Sequence, residues 1–190
     1  MTPVGEEGMK KIVPFLLTVP WMVLLVPMLS LADPSIPRSK QTVLGKYVTA
    51  KEAFEKYSAD PGSVHILDVR TPAEYIFVGH APMAVNIPLR FLSPGLTLRN
   101  TPVMPENKHF VEEVEKRYRA TDTILVMCRS GGRSAAAVNK LADAGFSNVY
   151  NVLDGFEGEA DKNGHRTVNG WKNSGIPWTY TLEPGLAYNP

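Results

Sequence analysis

The residues best suited to chemistry stand in one stretch: Leu125-Val126-Met127-Cys128-Arg129-Ser130-Gly131-Gly132-Arg133-Ser134. An apolar run ends at a cysteine, two arginines and two glycines follow, and a helix-forming run begins. Gly131 and Gly132 permit positive φ and let backbone N–H groups point into one concavity. The next helix aims its positive N-terminus at the same place. Such surroundings favour a thiolate, so Cys128 is expected to be a nucleophile near neutral pH. A lone cysteine is more often a small buried hydrophobe. The loop that follows this one argues for reactivity instead.

The rest of the titratable inventory narrows the chemistry. Cys128 is the only cysteine, which excludes a disulfide framework and any zinc site with two or more thiolates. His65, His80, His109 and His165 show no metal-ligand spacing, so no metal and no cofactor is expected. Twenty Lys plus Arg against 19 Asp plus Glu give a net charge of +1. No global field draws the chain to nucleic acid or an anionic membrane. With 44% hydrophobic and 21% charged residues in 190, the composition is that of one globular domain with appendages.

The elements around the loop follow from local pattern. Thr49-Ala50-Lys51-Glu52 is a capping box that opens a helix to about Tyr57. Val64 to Val69 is a strand run, and Thr71 with Pro72 starts a short helix to Val78. Ala84 to Ile87 is a strand candidate, and Leu89 to Asn107 reads as a loop broken by Pro94, Pro102 and Pro105. Phe110, Val111, Val114 and Tyr118 form a packing stripe at helical spacing. Thr123 to Met127 is a strand, Ser134 to Ala144 a helix stopped by Gly145, and Val149 to Val152 a last strand. Strands alternating with helices imply a parallel α/β sheet.

The N-terminus reads as an export signal. Lys10-Lys11 precede an uncharged run from Ile12 to Leu29, and Ser30-Leu31-Ala32 offers small residues at a cleavage site. Residues 1–32 are therefore expected to be a signal peptide, with Met9 a plausible true start, and the protein to be periplasmic. The alternative is a membrane anchor formed by residues 12–29, which Pro14, Pro20 and Pro27 disfavour. Residues 33–45 are expected to be a flexible leader, 46–182 the domain, and 183–190 a tail.

The chain resembles the rhodanese (sulfurtransferase) family in an ordered set of pieces. They are Leu67-Asp68-Val69-Arg70 with Glu74-Tyr75, Gly79-His80-Ala81-Pro82, and Ala84-Val85-Asn86-Ile87-Pro88. The Cys128 loop, Asp154-Gly155-Phe156, Gly170-Trp171-Lys172 and Gly175-Ile176-Pro177 complete it. The resemblance implies a parallel five-stranded sheet with helices on both faces and a persulfide mechanism. It also implies that Asp68 and Arg70 sit beside the active loop. Two departures stand out: Ala81 and Met83 replace an Ile and a Gly common in the family, and Glu159 to Asn169 is a polar insertion. That insertion reads first as a solvated surface loop, and second as a border of the site or of a partner surface.

The implied roles are these. Cys128 takes the outer sulfur of a donor such as thiosulfate and passes it to cyanide or a thiol. Backbone N–H groups from Arg129, Ser130, Gly131, Gly132, Arg133 and Ser134 stabilise that sulfur. Arg129 and Arg133 supply positive charge for an anionic donor, with Arg133 the better candidate for bracing the loop against Glu74 or Asp68. Arg70 is either a donor-binding residue or a strand-end ion pair, and Asp68 is an organiser. His80 is a structural hydrogen-bonding residue and Trp171 belongs to the core. Arg133 is the fifth residue after Cys128, whereas related phosphatases and arsenate reductases use Cys-x5-Arg, so Ser134 takes the position of their arginine. The shorter loop opposes that enzyme class. A persulfide carrier or binding module is the other alternative, with an exported protein as possible partner. The chain is read as a monomer.

Overall fold

Two capping boxes set the first helices. The structure is a computed structural model that describes residues 1–2 and 35–189. Thr49 opens α1 (Ala50–Ala59) and Thr71 opens α2 (Pro72–Val78). In each, the threonine hydroxyl accepts from the N–H of a glutamate three residues on, and that glutamate's carboxylate accepts from the threonine N–H. The remaining elements are α3 (Phe110–Glu115) and α4 (Gly132–Asp143) with the strands β1 (Tyr47–Val48), β2 (Val64–Asp68), β3 (Val85–Asn86), β4 (Ser93–Leu96), β5 (Pro102–Val103), β6 (Thr123–Met127) and β7 (Val149–Val152).

Five strands form one sheet in the order β1-β7-β6-β2-β3, and every pairing in it is parallel. Strand parity sorts the core into two layers. Leu67, Val69, Ile124, Val126 and Cys128 face α3 and α4, against Phe110, Val114, Ala137, Val138 and Leu141. Ile66, Leu125 and Met127 face the other way, against Ala50 and Ala53 of α1, Tyr75 of α2, and Phe156 and Trp171. Helices thus cover both faces, as expected.

β2 and β6 are neighbours, with Asp68 opposite Met127. From β2 the chain runs out to β3 and later returns to β6 on the opposite side of β2. The loops after β2 and β6 therefore leave the same sheet edge at the switch point, where α/β sheets place their sites.

Four expectations are corrected. Leu89–Asn107 is not all loop: β4 and β5 pair as an antiparallel hairpin. Helix α4 starts at Gly132, two residues before Ser134, so the loop is shorter than its sequence suggests. Helix α3 ends at Glu115, although Tyr118 is still buried beyond it. Residues 35–45 are not a free leader. A 3-10 turn at Arg38–Lys40 packs on α4, Lys40 O accepts from Asn151 Nδ2 at 2.9 Å, and Val43 N donates to Asn139 Oδ1 at 2.9 Å. The C-terminal stretch also docks, through Asn86 N to Leu186 O at 2.8 Å and Tyr188 OH to Glu113 at 3.0 Å. The expected signal peptide, apart from Met1 and Thr2, lies outside the described residues. Among the described residues, no helix is long and apolar enough to cross a membrane.

Candidate active site

Cys128 continues the alternation of Ile124 and Val126, so its side chain goes to the α4 side of the sheet. There it lies under the first turn of α4, with 1% of its surface exposed. Ser134 Oγ stands 3.4 Å from Cys128 Sγ and bonds Asn151 Oδ1 at 2.6 Å. Asn151 Nδ2 donates to Lys40 O at 2.9 Å and Gly131 O at 3.1 Å, which fixes Oδ1 as the acceptor for the serine. Sequence reasoning missed Asn151. Its signal was a polar residue in a buried strand between Tyr150 and Val152, where a side chain must find partners.

The loop itself is rich in free donors. Among the described residues, none of the backbone N–H groups from Arg129 to Ser134 donates a hydrogen bond, and the first to do so is Ala135, to Gly131 O at 3.2 Å. Four of these groups, from Gly131 to Ser134, are the orphan donors of a helix start. Gly131 adopts φ 91° at the N-cap, and a Cβ there would lie 2.2 Å from Leu153 O. Only glycine fits.

A second segment holds the loop from below. Phe156 N donates to Cys128 O at 2.7 Å, while Glu157 N and Gly158 N donate to Arg129 O at 3.0 and 3.2 Å. Asp154 receives Ala50 N at 2.7 Å and Gly170 N at 3.0 Å. Burial raises the Asp154 carboxyl against those bonds, which act to lower it. The Asp154-Gly155-Phe156 piece is thus a bracket for the loop.

The charged residues divide their work. Arg133 Nη1 and Nη2 reach Glu74 at 2.7 and 2.6 Å, a bidentate pair that ties α4 to α2. Burial alone would raise the Glu74 carboxyl; the Arg133 bonds and charge outweigh it and hold the group at about 2. Arg133 is raised in turn, against burial, chiefly by its bonds to Glu74. The bracing role is where the structure puts it. Arg70 is not placed to bind a donor. It is 0% exposed, grips Asp68 through Nε and Nη2 at 2.6–3.0 Å, donates to Gly79 O at 2.8 Å and stacks on Phe156. Its guanidinium is ion-paired with Asp68 and packed on Phe156 beneath the loop. Arg129 is exposed at the loop mouth, and its side chain has no hydrogen bond or ion pair among the described residues.

His80 stacks on Tyr75 at 3.8 Å and sits 3.0 Å from Tyr75 O and 3.2 Å from Thr181 O, a structural position. Among the described residues no group of His, Cys, Asp and Glu could hold a metal. The 159–169 insertion is tied largely by its own bonds, while Glu159 reaches out to pair with Lys40. Ala160 bridges Arg166, and Asp161 accepts from Asn163 N, His165 N and Thr167 Oγ1. None of its residues lines the cavity beside the loop.

That cavity, about 700 Å³, lies between α2, the β4–β5 hairpin and the loop, with Arg129 and Arg133 on its wall.

Comparison with known proteins agrees with this geometry. A family model described as a rhodanese-like domain matches residues 50–161. The chain is 40% identical over 98 residues to thiosulfate sulfurtransferase 16, chloroplastic, of Arabidopsis thaliana, covering 52% of this chain and 74% of that protein. It is 40% identical over 92 residues to thiosulfate sulfurtransferase 18 of the same plant, covering 47% of this chain and 62% of that protein. Among solved structures, Rv0390 from M. tuberculosis superposes with a TM-score of 0.60 at 32% identity, covering 72% of this chain and 98% of that one.

Proposed function

The chain belongs to the rhodanese-like family, and on that premise we propose that it transfers sulfane sulfur through a persulfide on Cys128. The Cys128 thiolate attacks the outer sulfur of a donor such as thiosulfate. A Cys128 S–S bond forms, the donor's S–S bond breaks, and sulfite leaves with the electron pair. A thiophilic acceptor, cyanide or a thiolate, then attacks the outer sulfur and returns Cys128 as thiolate. The observation that carries the reading is a buried cysteine sulfur next to a run of six backbone N–H groups that have no acceptor among the described residues. Fixed dipoles of that kind favour the anionic sulfur without reorganising.

Arg129 supplies a free guanidinium where an anionic donor arrives. Arg133 holds the loop through Glu74, and Asp68 and Arg70 support it from below. The phosphatase alternative is disfavoured by the same geometry. Both terminal nitrogens of Arg133 are bound to Glu74, and Ser134, in the position of the phosphatase arginine, is buried against Cys128. No cofactor enters the reaction. The protein acts, on this reading, as an exported monomer.

Turnover of thiosulfate with cyanide, beside an aryl phosphate assay, tests the proposal. Thiocyanate formation that Cys128→Ser abolishes, with no phosphate release, is expected. Phosphate release, or thiocyanate formation that survives in Cys128→Ser, would overturn it.

A further inference from the structure

The β4–β5 hairpin turns apolar surface outward. Leu96 and Leu98 are 65% and 106% exposed, Leu92 beside them is 53% exposed, and Phe77 on the neighbouring α2 is 80% exposed. Apolar side chains grouped in this way mark an interaction surface. The charge around them has one sign. From Tyr75 to Pro105 there is no acidic residue, and Arg90 and Arg99 are the only arginines or lysines. Neither guanidinium has a hydrogen bond or ion pair among the described residues. The net charge of the chain is only +1, so attraction to anions is local to this face.

The hairpin tip is closed in its backbone. Thr97 N donates to Thr101 O at 2.8 Å and Asn100 N to Thr97 O at 2.9 Å. Thr97 Oγ1 accepts from Arg99 N and Thr101 N, both at 3.3 Å. A tip whose polar groups are largely met from within loses little on leaving water. The leader adds a second pointer. Its Ser39 and Lys40 lie against Gly132 and Gly131, at the same end of the sheet as the hairpin. Residues 30–37, which join this turn to the uncharged 12–29 run, span at most about 28 Å when extended. On either reading of that run, signal or anchor, this end of the domain starts out beside a bilayer.

We propose that the hairpin face docks on an anionic phospholipid bilayer. Leu96 and Leu98 enter the interface, and Arg90 and Arg99 pair with lipid phosphates. The inference stands apart from sulfur transfer and does not depend on it.

The test uses the full chain with Cys128→Ser, so that one introduced cysteine carries a nitroxide spin label. Leu98→Cys places the label on the tip. Ser58→Cys, near the end of α1 and at the other end of the sheet, is the control. Both positions are exposed, so labelling leaves the core intact. On phosphatidylglycerol vesicles, the ratio of collisions with oxygen to collisions with a neutral nickel chelate should rise about fivefold or more at 98 and stay unchanged at 58. Arg90→Gln with Arg99→Gln should remove most of that rise, as should replacing the lipid with phosphatidylcholine. A ratio at 98 that stays equal to that at 58 overturns the inference, because it holds the hairpin in water however the rest of the chain is attached. A rise that phosphatidylcholine and the arginine variant leave unchanged also overturns it. So does spin–spin broadening at 98 without vesicles, which would assign the face to a second copy of the chain.

Discussion

At the scale of single residues, the two loop arginines are chemically alike and structurally opposite. Arg133 spends its fork on Glu74, whereas Arg129 spends nothing. Arg133→Ala should therefore destabilise the fold by about 2 kcal/mol, below the cost of breaking a fully buried pair because both partners keep some solvent contact. Arg129→Ala should change stability by less than about 0.5 kcal/mol. It should instead lower kcat/KM for thiosulfate about tenfold or more. Denaturant unfolding beside steady-state kinetics on both variants checks this, and matching effects on stability and rate would contradict it. The positions of Cys128, Arg129 and Arg133 were legible because strand parity and the residue count after Cys128 depend on local sequence alone. The choice between two roles for Arg70 was not legible. It depended on burial under Phe156, a contact between residues far apart in the chain.

At the scale of elements, the loop is held by a bracket rather than by its own bonds. Gly155 has φ 62°, and a Cβ on it would lie 2.5 Å from Cys128 O. Gly155→Ala should cost about 2 kcal/mol or more and lower sulfur transfer along with it, since it pushes on the backbone of the nucleophile. Gly175 also has positive φ, at 70°, but open space around its Cβ position. Gly175→Ala should cost only about 1 kcal/mol and leave transfer near wild type. Equal penalties and equal rates for the two variants would refute the bracket. Helices α1 and α2, with their threonine caps, were legible because the caps are local. The β4–β5 hairpin was hidden by its prolines and glycine, which read as breakers, and β1 by its two-residue length. Both exist only through a partner strand.

At the scale of the whole molecule, the parallel sheet and its two covered faces followed from the alternation of element types. The tight attachment of residues 38–43 did not, because it runs through Asn151 and Asn139 on distant elements. That attachment bears on export. Cleavage after Ala32 would leave the turn at Arg38–Lys40 intact against α4. N-terminal sequencing of the native protein should therefore begin at Asp33. A native protein that retains the 12–29 run and fractionates with membranes would support the anchor instead.

The central claim is that Cys128 carries sulfur, and intact-protein mass spectrometry after incubation with thiosulfate tests it most directly. The wild-type protein should gain the mass of one sulfur atom, lose it on addition of cyanide, and show the modification on the peptide that contains Cys128. Cys128→Ser should gain nothing. A wild-type protein that stays at its unmodified mass, or a sulfur found on any other residue, would contradict the account.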